Sequence, residues 1–366
     1  MENYTFKTTQ WIKVALCNFC VVAVAGVIMR YKISFPLPLV NQKYLLHAHS
    51  HFAFTGWVSL ALMALMINYL QQQNINASYK TYHRILLANC IVSYGMFFSF
   101  MAQGYAFYSI TFSTLSIFVS YFFIYYLWRD LNKISDKSNA PLWFKAALVI
   151  WAISSLGAFT LAYLMANHIN VQDYYFAAIY FFLHFQYNGW FLFACFGLLF
   201  SYLYKNGFAA SIGANKKIFW IMAVVVGPAY FLSILWLRLP GILHVIADIA
   251  GVVQLSALFY FAQLFLLIKK SKHDKLVSTT KYLWIMMLIA FIIKIILQFL
   301  SIFPFFSKYA FGFRPIVIGY LHLSFLGIIS FFILGYINQF LNETGRRLSV
   351  GGVIVLLQEY CYKKSF

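Results

Sequence analysis

Acid is scarce in this sequence. Only 8 of its 366 residues are Asp or Glu, and charged residues make up 10% of the chain, against about 25% in an ordinary soluble domain. Calcium or magnesium sites need clustered carboxylates, so the apolar stretches do not offer one. Cysteine is thin as well: Cys17, Cys20, Cys90, Cys195 and Cys361 show no framework of paired spacings. Cys17 and Cys20 form a C-x-x-C, but it lies in an apolar run and no His follows it. That excludes c-type haem attachment there and leaves buried packing cysteines as the reading. Long polar linkers and low-complexity segments are missing too. No cleavable leader is expected, because the first apolar run is long enough to stay as a span.

What is present is apolar: 63% hydrophobic, 21% aromatic, with a mean hydropathy of +0.77. A soluble core of this size cannot hide that. The fold class expected is all-α, a polytopic transmembrane helix bundle of about ten spans. The apolar runs place them near 11–29, 44–70, 84–104, 107–128, 142–166, 174–204, 217–236, 241–269, 281–303 and 315–340. Residues 1–346 then form a single transmembrane domain. Residues 347–366 form a short tail, because the apolar stretch 349–361 is too short to span and carries Glu359. The tail is expected at the interface.

The net charge of +19 follows topology. Eighteen Lys and Arg fall at one side of the membrane, in loops such as those around Arg129, Lys133, Lys137 and Lys145; six fall at the other. By the positive-inside rule the N-terminus is cytoplasmic. The basic residues therefore imply no nucleic-acid partner; the partner implied is the lipid bilayer.

Six of the nine His fall inside spans: His47, His49 and His51 in the second, His184 in the sixth, His244 in the eighth and His322 in the tenth. All these spans run inward and all carry the His early, within about 15 Å of the outer edge at 1.5 Å per residue. Polar side chains in lipid are costly and usually functional. Imidazole suits iron, copper and zinc, and haem iron is commonly held by axial His. The chemistry points to haem, with copper as a second candidate.

His47 and His51 are four apart and share a face, whereas His49 is on the opposite face, above Ala53 and Gly56. Small residues beneath a His leave room for a macrocycle, which makes His49 the preferred axial ligand. His47 and His51 could bind a second metal as an i, i+4 pair, or bond haem propionates or neighbouring carbonyls. In the tenth span His322 is the strong ligand, and Tyr320 heads a separate small-residue face with Ser324 and Gly327. His184, Tyr187 and Asn188 form a polar stripe in the sixth span, and His244 sits one turn before Asp248. An acid beside an imidazole orients it. Lys294 lies mid-span with Gln298 one turn on; it is either a proton-relay residue or the partner of Asp248. Arg238, Lys308 and Arg314 lie at the outer ends, either solvated or placed to meet haem propionates.

The pattern resembles subunit I of the heme–copper oxidase superfamily, with its C-type oxygen reductases and nitric oxide reductases. His322 in IGYLHLSFLG matches the low-spin haem ligand, His49 or a neighbour in HAHSHFAFTGW looks like the partner ligand, and His184 stands where a copper ligand is expected. The departures are equally specific. Tyr320 stands where the high-spin haem ligand belongs, Ala229 and Tyr230 replace a His-His pair, and about ten helices stand for twelve. A second resemblance, through His47-Ala48-His49, is to the NnrS family of the nitric oxide response.

His184 and His244, with a third ligand from His47, His51, Tyr187 or solvent, are the expected copper site. The resemblance implies a low-spin haem b on His49 and His322, a degenerate dinuclear site with His184 at the copper position, and a bacterial inner-membrane location. It also implies other respiratory subunits or a small electron-donor protein as partners. Tyr320, Tyr187, Lys294 and Asp248 are the catalytic candidates, but the damaged dinuclear site leads to little oxidase turnover being expected. The alternatives are a nitric oxide or metal response protein without turnover, and a metal or proton transporter.

Overall fold

The computed structural model describes residues 6–207, 211–270, 276–307 and 313–345. Lys308 and the tail 347–366 lie outside the described residues. Those described are helical, with no strand among them.

The helices follow in chain order as α1 (Thr8–Ser34), α2 (Gln42–Gln72), α3 (Tyr79–Gln103), α4 (Phe107–Leu131) and α5 (Ala140–Ala166). Next comes α6, over 172–205. Then come α7 (Ser211–Val225), α8 (Gly241–Lys270), α9 (Ser278–Leu300) and α10 (Arg314–Glu343). Eight of these are long and apolar enough to cross a membrane. The α7 helix joins them as a broken span: after Val225 it continues as a 3-10 turn over Pro228–Ile234, bent by 54°. The α6 helix is long enough but is diluted by His184, Gln186 and Asn188. The chain is thus an integral membrane protein of about ten spans.

Three helices depart from α geometry at matching places. α2 widens to a π-helix over Ala53–Ser59, α6 over Phe185–Phe191 and α10 over Leu323–Ser330. These segments meet. Phe54 packs on Phe182, Phe191 and Phe325 with ring centres 6.0, 5.7 and 4.5 Å apart. Trp57 donates its indole N–H to Ser330 Oγ at 3.0 Å.

A π turn strains the i→i−4 ladder and frees carbonyls, which in lipid must be met by other partners. In α2 they are. Asn18 of α1 donates to the Gly56 carbonyl at 2.7 Å and Asn89 of α3 to the Thr55 carbonyl at 3.0 Å. Tyr94 then donates to Asn18 Oδ1 at 2.7 Å.

The end of the bundle where α3 starts and α4 stops has its own polar lock. Asp130 is fully buried and takes Lys133 at 2.6 Å, Arg129 at 3.1 Å and the Tyr82 hydroxyl at 2.9 Å. By the positive-inside rule the charge asymmetry leads to the expectation of a cytoplasmic N-terminus. An impermeant amine reagent should therefore label exposed Lys137 only from the cytoplasmic side and exposed Lys43 only from outside. Peptide mapping of labelled spheroplasts and inverted vesicles checks this, and the reverse pattern would invert the topology.

Candidate functional site

His51, His184 and His322 each stand within two residues of the start of a π segment, in α2, α6 and α10 respectively. The start of α2 is set by Asn41, whose side chain caps the Lys43 and Tyr44 amides. From there the 3.6-residue repeat sends His49 toward α1 and His47 with His51 toward the end of α3.

His49 donates through Nδ1–H to the Val22 carbonyl at 3.0 Å, and its ring lies against Gly26, where an added Cβ would stand 3.4 Å from Cε1. His322 makes the same kind of bond, Nδ1–H to the Ile318 carbonyl at 2.8 Å. A carbonyl can only accept, so each bond fixes the tautomer and makes Nε2 the basic nitrogen. Metal-ligating histidines are characteristically held in this way.

His47 and His51 flank Tyr105, which comes from the link between α3 and α4. His51 Nε2 is 3.1 Å from the Tyr105 hydroxyl, and the His51 ring stacks on Phe100 at 4.4 Å. The His47 ring stands edge-on to Tyr105 at 4.6 Å. Nε2 of His47 is buried without a hydrogen-bond partner.

His184 is different. It is fully buried, donates from Nε2 to the Val226 carbonyl at 2.8 Å, and accepts at Nδ1 from Asn188 at 3.0 Å and Ser233 at 3.4 Å. The bend of α7 at Pro228 breaks the local ladder, since proline has no N–H to donate. His184 reaches across from α6 and satisfies a carbonyl at that bend. Both ring nitrogens are engaged, so a copper ion at His184 would have to displace one of these bonds.

Tyr187 is in polar contact with Tyr320, Asn188 and Ser233, and its ring centre is 6.2 Å from that of Tyr320. Tyr320 thus belongs to this interior polar group. Lys294 is 3% exposed, donates to Gln298 at 2.9 Å and lies over the Phe291 ring at 5.8 Å. It does not pair with Asp248: among the described residues the ion pairs are those of Asp130. His244 and Asp248 are half-buried on α8, with no hydrogen bond between their side chains, so the i, i+4 spacing is not used. Arg238 and Arg314 are exposed at the outer ends.

No group of three or more His, Cys, Asp or Glu that could close on a metal occurs among the described residues. The structure therefore joins His47 with His51, and His184 with Tyr187 and Tyr320, and sets these two groups on different helix faces. Two residues were not singled out by sequence. Asp130 carries a visible signal, a basic residue beside it and another three on. Tyr105 carries none, because its position depends on loop geometry. No family model matches the chain, and no curated protein matches it.

Proposed function

We propose that this chain is a haem-binding integral membrane protein, similar to subunit I of the heme–copper oxidases, with His322 and His49 as axial ligands of a low-spin haem b. One observation carries the reading: both rings commit Nδ1–H to a backbone carbonyl, which fixes the tautomer with the lone pair on Nε2, the form in which an imidazole serves as a metal ligand. The donor chemistry of these two residues fits haem iron. That of His184, engaged at both nitrogens, does not fit a copper ligand. A bound haem would supply a one-electron carrier. The protein's own part is to orient the imidazoles and, through the aromatic knot beneath, to exclude water. Arg238 and Arg314 stand at the end where propionates would emerge. The reading is electron transfer in a bacterial inner membrane, with an electron donor or respiratory subunits as partners, rather than oxygen reduction by this chain alone.

The test is a reduced-minus-oxidised visible spectrum of the purified protein. It should show a b-type α band and Soret shift, both abolished in His322→Ala. A colourless protein expressed with ample haem, or a spectrum unchanged by His322→Ala, would overturn the proposal.

A further inference from the structure

We infer that His47, His51 and Tyr105 form a binding site for a divalent transition-metal ion at the outer end of α2 and α3. The site is separate from the proposed haem ligands and does not depend on that reading.

Three observations converge on it. The first is spacing. His47 and His51 are one turn apart on the same face, the arrangement by which helices offer two imidazoles to one ion. The second is the third donor. Tyr105 is carried by the short link 104–106, and that link is held rigidly. Gly104 adopts φ 64°, where an added Cβ would meet the Tyr44 ring at 2.5 Å, and Ser109 bonds both the Gly104 carbonyl at 2.6 Å and the Ala106 amide at 2.9 Å. The phenol is thereby fixed against both imidazoles, with ring centres 4.6 Å from His47 and 6.0 Å from His51. Phe100 completes the wall, 4.9 Å from Tyr105 and stacked on His51 at 4.4 Å.

The third observation points to a ligand directly. Nε2 of His47 is buried and has no hydrogen-bond partner. A buried polar atom left unpaired is costly, and a coordinate bond would remove that cost. Nε2 of His51 is occupied by the Tyr105 hydroxyl alone at 3.1 Å, a bond that coordination would exchange for two ligand bonds.

The donor set decides the class of ion. Two imidazole nitrogens and one phenol oxygen, with no carboxylate, disfavour calcium and magnesium. Nitrogen and oxygen donors with positions left for solvent suit copper(II), which also stands highest in affinity among the first-row divalent ions. Tyr105 is half exposed, so water can reach the open positions from the outer side. Binding of Cu²⁺ by the phenol releases its proton to solvent and leaves a phenolate–copper bond, with no change of oxidation state.

The test uses the full chain in detergent and Cu²⁺ alone. Titration should give one tight site per chain, with an EPR spectrum showing coupling to two nitrogens and a visible phenolate-to-copper band. His47→Ala and His51→Ala should each weaken binding by at least about 100-fold, since loss of even a supporting outer-shell partner costs about 10–100-fold. Tyr105→Phe should remove the visible band and keep the nitrogen coupling. His47→Gln and His51→Gln, which retain a polar side chain, guard against misfolding and should each reduce the coupling to a single nitrogen. His322→Ala should leave copper binding intact, whatever it does to haem. Copper bound without nitrogen coupling, or with equal affinity in a His47→Ala/His51→Ala double variant, would overturn the inference.

Discussion

His184→Ala is expected to be among the most destabilising single substitutions in the bundle, lowering resistance to unfolding by about 2–4 kcal/mol. It strands the Val226 carbonyl at the bend of α7 and removes the acceptor for the Asn188 amide. Each stranded group costs about 1–3 kcal/mol in a buried setting, and deletion of the ring adds a cavity. His184→Phe should not rescue it: the volume returns but the hydrogen bonds do not. Unfolding in mixed micelles of rising SDS content, followed by tryptophan fluorescence, reads the effect directly. The copper-ligand reading predicts the opposite, a variant of unchanged stability that has lost bound copper. One titration and one metal analysis separate the two.

Gly157→Val should prevent α5 and α6 from packing. An added Cβ at Gly157 would stand 2.6 Å from the Ala178 carbonyl oxygen and 2.8 Å from the Phe182 nitrogen. Both are backbone atoms of α6, so no rotamer change relieves the clash. Overpacking in a well-filled interior costs about 1–3 kcal/mol, and here the contact lies between two backbones, the kind of close approach for which membrane helices use small residues. Ala at the same position should already be harmful. Gly213, with nothing within 4 Å of a built Cβ, is the control: Gly213→Ala should be neutral or slightly stabilising. The measurement is the fraction recovered as a monodisperse peak after heating in detergent. Equal recovery for Gly157→Val and Gly213→Ala would refute the close packing of α5 on α6.

Hydropathy was enough to read the helix count, because lipid leaves the backbone few alternatives. The facing of the α2 histidines was legible for a similar reason: a 3.6-residue repeat puts His49 opposite His47 and His51, and they do face different neighbours. The role of His184 was not legible. It depends on a carbonyl presented by the bend at Pro228, forty residues downstream, and a single sequence does not reveal that contact. Lys294 read on paper as a proton-relay residue or as the partner of Asp248; the second reading fails, because its ammonium donates to Gln298 one turn on at 2.9 Å. Tyr105 was invisible because its placement follows from the positive φ of Gly104. The π segments also leave no mark in composition, since their residues would be equally at home in an α-helix.

Those π segments hold one consequence for how such a chain can change over generations. Each contains roughly one residue more than the α-helical path requires, placed between the histidine and the inner half of its helix. Loss of one codon inside 53–59 would let α2 close up as plain α-helix with its outer and inner halves keeping nearly their present orientation. The three α2 histidines would keep their present neighbours, and the change would fall on the carbonyls of the turn, which would rejoin the helix ladder and leave Asn18 and Asn89 without their acceptors. A one-residue deletion that looks ruinous in a sequence comparison would therefore be absorbed in a π turn, whereas the same deletion in the α-helical stretch just after it would turn the two halves of α2 by about 100° against each other.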